Sequence, residues 1–225
     1  MRSDIERRVT ATNTRDVEVT AGDVKLIGNL DIPADAVGVV LFAHGSGSIR
    51  HSPRNIFVAE HLQRGRIATL LIDLLTRAEE AVDIQTAELR FDIPFLARRV
   101  SRATDWLTQQ PEIRDLPIGY FGASTGAAAA LVAAAARPRQ VAAVVSRCGR
   151  PDLAGDALPQ VVAPTLLIVG DLDTEVIRLN EEAMEQMRCE RKLVLVPGAT
   201  HLFEEPGTLE EVARLAREWF ANHFA

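Results

Sequence analysis

The chain has 225 residues, 47% apolar and 25% charged, which suits one globular domain, residues 1–225, with a buried core and excludes a disordered or fibrous chain. A formal charge of −6 with scattered basic residues argues against a nucleic-acid surface, which needs clustered cations to neutralise phosphates. The start, MRSDIERRVT, has no apolar stretch behind its charges and no run reaches transmembrane length, so the expectation is a cytoplasmic protein with neither leader nor membrane span.

In chain order, apolar β-branched runs predict strands at Val17–Val19, Lys25–Ile32, Gly38–Ala43, Ala68–Asp73, Ile118–Gly122, Val141–Ser146, Thr165–Val169 and Leu193–Val196. The first two are joined around Ala21-Gly22-Asp23, a link too short for a parallel crossover, and so form an antiparallel hairpin. Apolar faces at helical spacing predict helices at Pro53–Arg64, Pro94–Gln109, Ser124–Ala136, Thr174–Met187 and Thr208–Ala221. The alternation implies an α/β protein, with a mostly parallel sheet covered by helices on both faces. Cys148 and Cys189 are too few for a disulfide framework and lack the spacing of a zinc site, so both are expected reduced, with no metal. Cys148 follows an apolar strand and has no obvious partner base, while Cys189 sits in a polar helical stretch.

One junction carries chemistry. In GYFGASTGAAAALVAAAA, two glycines flank Ala123-Ser124-Thr125 between an apolar strand and an alanine-rich helix. GASTGA resembles the glycine-rich turn of short-chain dehydrogenases, but those need a tyrosine and a lysine four residues on, whereas the only tyrosine is Tyr120 and position 124 is serine. The better match is G-x-S-x-G, Gly122 to Gly126, at a strand-to-helix turn where a strained backbone presents a nucleophilic serine and tolerates almost no side chain two residues to either side.

Such a serine needs a base to accept its proton, and a carboxylate to orient that base. LVLVPGATHLFEEP carries His201 past the last strand, and LLIVGDLDTEV carries Asp171 and Asp173 past the one before, each at the carboxyl end of a strand, where open α/β sheets hold ligands. The other histidines fit structural settings: His61 inside a helix and His223 in the terminal tail, both solvated, His51 in a loop, and His44 at a strand end where it bonds to backbone. An oxyanion takes two backbone amides, here those of Thr125, after the serine, and of Ser46, in the glycine-rich loop of LFAHGSGSIRHSPRN.

Together AHGSGS, GASTG, GDLDTEV and GATHLF resemble the dienelactone hydrolase-like branch of the α/β-hydrolase superfamily along nearly the whole chain. The resemblance implies an α/β-hydrolase fold with a central sheet of about eight strands, and serine-type ester hydrolysis without a cofactor. Hydrolases of this fold show G-x-x-D-x-x-V at the acid loop, a spacing that Gly170, Asp173 and Val176 fit. Asp173 is then the acid, and Asp171 caps a helix or bonds loop backbone. True dienelactone hydrolases carry cysteine where this chain has Ser124, so the resemblance turns toward a general carboxylesterase.

Capped members insert a helical lid between the sixth and seventh strands, whereas only Arg147 to Ala163 connects them here. No cap domain is expected, and the site should be shallow, open and suited to small soluble esters or lactones. Arg147, at a strand end, is placed either to hold a substrate carboxylate or to pair with a loop aspartate such as Asp152. Acyl transfer, thioester hydrolysis or perhydrolysis would use the same residues, and a non-catalytic binding module would keep only the fold. The expected partner is a small-molecule ester, with no nucleic acid and no membrane, and the chain a monomer or homodimer.

Overall fold

The structure, a computed structural model, describes residues 14–45 and 50–224. Eight strands form one sheet: β1 Arg15–Ala21, β2 Val24–Asp31, β3 Gly38–Ala43, β4 Ile67–Ile72, β5 Ile118–Ala123, β6 Val141–Arg147, β7 Thr165–Gly170 and β8 Arg191–Val196. Their spatial order is β1-β2-β4-β3-β5-β6-β7-β8. The hairpin of β1 and β2 is antiparallel, β2 also runs antiparallel to β4, and every other pairing is parallel. All residues of β3, β4, β5 and β7 are buried, as expected of central parallel strands covered on both faces.

Among the described residues six α-helices accompany the sheet: α1 Pro53–Arg64, α2 Arg77–Thr86, α3 Ile93–Leu107, α4 Thr125–Ala136, α5 Thr174–Gln186 and α6 Thr208–His223. On one face α1 and α6 enclose Val58, Leu62, Val212, Ala216 and Phe220 with Val40, Phe42 and Phe121 of the sheet. On the other, α3 buries Leu96, Val100, Ala103 and Leu107, one stripe at helical spacing, against α4 and the hairpin. Alanine dominates α4, whose small side chains let a nearly enclosed helix lie close to the strands.

Two stretches differ from the expectation. The stretch from Leu75 to Pro94, given no element, contains α2 and a short 3-10 turn, and the β6–β7 connection coils as 3-10 turns over Pro151–Gln160. Helix α2 buries only Asp83, so it has no apolar stripe to read. Its signal is instead a capping box: Thr76 accepts from the Glu79 amide while the Glu79 side chain accepts from the Thr76 amide. Ion pairs at 2.6 Å, Arg99 to Glu79 and Arg90 to Asp83, hold the segment down.

Candidate active site

Ser124 occupies the turn between β5 and α4 with φ 50° and ψ −127°, a conformation that costs a non-glycine residue on the order of 1–3 kcal/mol and so marks a site where the fold imposes the geometry. What imposes it is close packing around the turn. A Cβ on Gly122 would stand 2.4 Å from Ala127 Cα, and one on Gly126 would stand 2.1 Å from the Ala43 carbonyl oxygen, so neither position has room for a side chain. The Ser124 carbonyl accepts from the amides of Ala127 (3.1 Å) and Arg150 (3.0 Å), tying the turn to α4 and to the loop after β6. Thr125, buried, is the first residue of α4, so its amide belongs to the donor-rich first turn.

The loop after β3 lies against the serine. A Cβ on Gly45 would come within 2.7 Å of Ser124 Cβ and 2.9 Å of the Ala123 carbonyl oxygen, so glycine there lets the backbone pass close by the serine turn. Ser46 lies outside the described residues.

His201 follows β8, and its Nδ1 is 2.6 Å from Asp173 Oδ2. Asp171 faces elsewhere: its Oδ1 accepts from the Gly198 amide at 2.7 Å. That bond, with Asp171 N to Val196 O and Leu172 N to Ala199 O, both 3.1 Å, stitches the acid loop to the histidine loop and fixes the distance between Asp173 and His201. The far side of the histidine loop closes through Glu205, which accepts from the Thr200 amide (3.1 Å) and hydroxyl (2.6 Å). Asp173 is largely covered and His201 is 43% exposed, so the imidazole is restrained at one nitrogen and open at the other side.

His44 bonds to backbone as expected, Nδ1 to the Gly45 carbonyl at 3.2 Å, and burial holds its pKa below the usual histidine range. The expectation that His61 and His223 are solvated gives way: both are half-buried, and each Nδ1 bonds a carbonyl one turn back, Phe57 (2.8 Å) and Trp219 (2.7 Å).

Arg147 ends β6 and is 8% exposed. Asp152 does not pair with it, being held in a two-point pair by Arg150 at 2.9 and 2.8 Å. Arg147 Nε and Nη1 are buried without a hydrogen-bond partner, and burial, helped by the nearby Arg54, lowers the guanidinium pKa to about 10. It remains charged at neutral pH. A cavity of about 450 Å³ opens between α1 and the β2–β4 edge, lined by Asp31, Ile56, Gln63, Thr69 and Leu71, and none of Ser124, Asp173 and His201 lines it.

A strand-to-helix serine turn, with an aspartate past β7 and its histidine partner past β8 of one mostly parallel sheet, is the arrangement of a known fold, and the comparisons agree. The model of the "Alpha/beta hydrolase family" matches residues 5–215. The chain belongs to the α/β-hydrolase family. Within it the chain is similar to the dienelactone hydrolase of Anabaena variabilis ATCC 29413, at 61% identity over 94% of this chain and 98% of that one, with a TM-score of 0.93. Est1E of Butyrivibrio proteoclasticus, 17% identical, shares the fold over 92% of this chain and 98% of its own, with a TM-score of 0.77. A protein of Mycobacterium tuberculosis strain H37Rv that bears a provisional phosphoribosyl transferase name is 57% identical over 208 residues, 92% of this chain and 46% of that protein. The chain thus spans about half the length of the curated relatives it matches. The chain is of the dienelactone hydrolase-like type within that family, and among the described residues there is no cap domain and no helix long and apolar enough to cross a membrane.

Proposed function

We propose that this hydrolase cleaves small soluble carboxylic esters or lactones through an acyl-enzyme formed on Ser124. The observation that carries the reading is the 2.6 Å contact of His201 Nδ1 with Asp173, in a chain whose serine sits on a strained turn at the same edge of the sheet. With Nδ1–H donating to the carboxylate, Nε2 is the basic nitrogen, so it takes the Ser124 proton as the hydroxyl attacks the carbonyl and returns it to the leaving alcohol. Asp173 holds that tautomer and stabilises the imidazolium. The amides of Thr125 and Ser46 receive the oxyanion, a role supported for the β3 loop by the approach of Gly45 to Ser124. Water then attacks the acyl-enzyme by the same route, and no step uses a cofactor.

Arg147 is proposed to hold an anionic group of the substrate, since Asp152 is committed to Arg150 and two buried guanidinium nitrogens of Arg147 lack partners. The likeness to a dienelactone hydrolase favours lactones among the candidate esters. The transferase name is attached to a chain about twice as long, and ester hydrolysis alone is proposed here. The cytoplasm is the proposed location, and the 225 residues are proposed to act as one domain. The test is a panel of p-nitrophenyl esters of increasing acyl length beside a lactone and a thioester. Turnover of short esters or the lactone that vanishes in Ser124→Ala supports the reading, and a panel without turnover refutes it.

A further inference from the structure

Cys148 has no part in the proposed hydrolysis, yet it stands beside the residues that do. Its Sγ, a carboxylate oxygen of Asp173 and a ring nitrogen of His201 all lie within 4.8 Å of one another, brought from the loops after β6, β7 and β8. The position is fixed by backbone: Cys148 has φ 37°, and its amide donates to the Ile168 carbonyl at 2.8 Å. The side chain is 1% exposed, and burial pushes the thiol up to about 12, so it is neither a nucleophile nor an oxidation-prone thiolate at neutral pH. The Asp173 carboxylate accepts from His201 and, although Asp173 precedes α5, caps no amide of that helix. The Cys148 thiol also hydrogen-bonds to that carboxylate, so a cation that displaces the thiol proton takes over an acceptor position as it binds.

We propose that Cys148, Asp173 and His201 form a binding site for a soft divalent cation of the zinc or cadmium class, and that its occupation stops hydrolysis. Thiolate, carboxylate and imidazole are all zinc ligands, with bonds of about 2.3, 2.1 and 2.0 Å, so tetrahedral coordination sets the donor atoms roughly 3.3–3.7 Å apart. Nδ1 and Oδ2, now at 2.6 Å, would separate by about an ångström, and the sulfur would close by about as much at most. Water completes the fourth position. Charge also favours the site, because one thiolate and one carboxylate neutralise the dication.

The protons balance simply. The cation displaces one proton from the Cys148 thiol to solvent, and the ring stays neutral by moving its single proton from Nδ1 to Nε2. The inhibition, which rests on the proposed Ser124 mechanism, follows from that shift: Nε2 now carries a proton and cannot accept the one from Ser124, while Asp173 is drawn onto the metal.

The experiment uses the full chain after chelator treatment and two readouts. Cadmium titrated without substrate reports the site through the ultraviolet thiolate-to-cadmium charge-transfer band. Zinc titrated into an ester assay reports the inhibition. The proposal expects one equivalent of band per chain, zinc inhibition reversed by chelator, and both unchanged in Cys189→Ser. In Cys148→Ser, and in Cys148→Ala as a second variant against misfolding, the band is absent and zinc sensitivity, measured against each variant's own zinc-free rate, falls by about a hundredfold. A band that survives in both Cys148 variants, or zinc inhibition equal in parent and variants, overturns the site. A band lost with Cys148 but no inhibition overturns the coupling to hydrolysis. Failure of the Ser124 reading itself shows separately, as turnover persisting in Ser124→Ala.

Discussion

Two histidines in this molecule stand just past the end of a strand with an aspartate nearby, and they are opposites. His44 is nearly enclosed, gives Nδ1 to its neighbour's carbonyl, and has Nε2 3.7 Å from an Asp73 that is already bound by the Arg50 amide and guanidinium. His201 is 43% exposed and has Nδ1 2.6 Å from an Asp173 that, among the described residues, has no second side-chain ion pair and bonds otherwise to the Cys148 thiol. Proximity to a carboxylate does not make a base. What separates the two is which nitrogen the surroundings occupy, whether an arginine already holds the carboxylate, and how far the ring is enclosed.

The comparison breaks first at Ser124. Ser124→Ala should lower kcat by about five to six powers of ten, as loss of a triad serine does elsewhere, while circular dichroism and the melting temperature stay near the parent's because alanine fits the same turn. His201→Ala should be comparably damaging, and His44→Asn should change kcat/KM less than tenfold; the reverse ranking would make His44 the base.

Next comes the acid. Asp173→Asn should cost about four powers of ten in kcat, because an amide cannot hold the productive tautomer. Asp171→Asn, which disturbs only the bond to the Gly198 amide, should cost about tenfold or less, through a loosened loop. Steady-state kinetics of the pair decides between them.

How far the sequence reveals these assignments depends on what each residue's role requires. Gly122, Ser124 and Gly126 were legible because close packing leaves the glycines no alternative, and a steric demand writes itself into residue type. The parallel strands were legible for a similar reason, since burial on both faces requires continuous apolar runs. Helix α2 was not, because its stability comes from a capping box and ion pairs rather than an apolar stripe, although Thr76 and Glu79 three positions apart are visible in the chain. The preference for Asp173 over Asp171 came from spacing in related hydrolases, and only the loop-to-loop bonds show why Asp171 points away. The neighbourhood of Cys148 with Asp173 and His201 has no linear signature, as its members are 25 and 28 residues apart in turn.

A smaller effect sharpens the account of the open site. The β6–β7 connection is 3-10 turns over Pro151–Gln160 with no helical lid, so acyl methylenes beyond the first few lack an apolar wall worth roughly 0.8 kcal/mol each. kcat/KM across an ester series below each micellar limit should peak at about two to six acyl carbons. A steady rise through long chains would show that α2 and its flanking turn fold over the site.

The smallest effect concerns pH. His44 has its pKa lowered by burial, so below its ordinary value near 6.5 the unfolded chain binds a proton that the folded chain refuses. Its contribution to stability is therefore full above that pH and is lost as pH falls. Urea titrations between neutral and mildly acidic pH should show a shallower acid loss in His44→Asn than in the parent, and an unchanged slope would mean that His44 charges freely in the fold.

The central claim, that His201 and Asp173 activate Ser124, is tested most directly by a fluorophosphonate probe followed by peptide mass spectrometry. One label per chain at Ser124, none in Ser124→Ala, and labelling slowed by orders of magnitude in His201→Ala is the predicted result. Label on another serine, or equal labelling rates with and without His201, would contradict it.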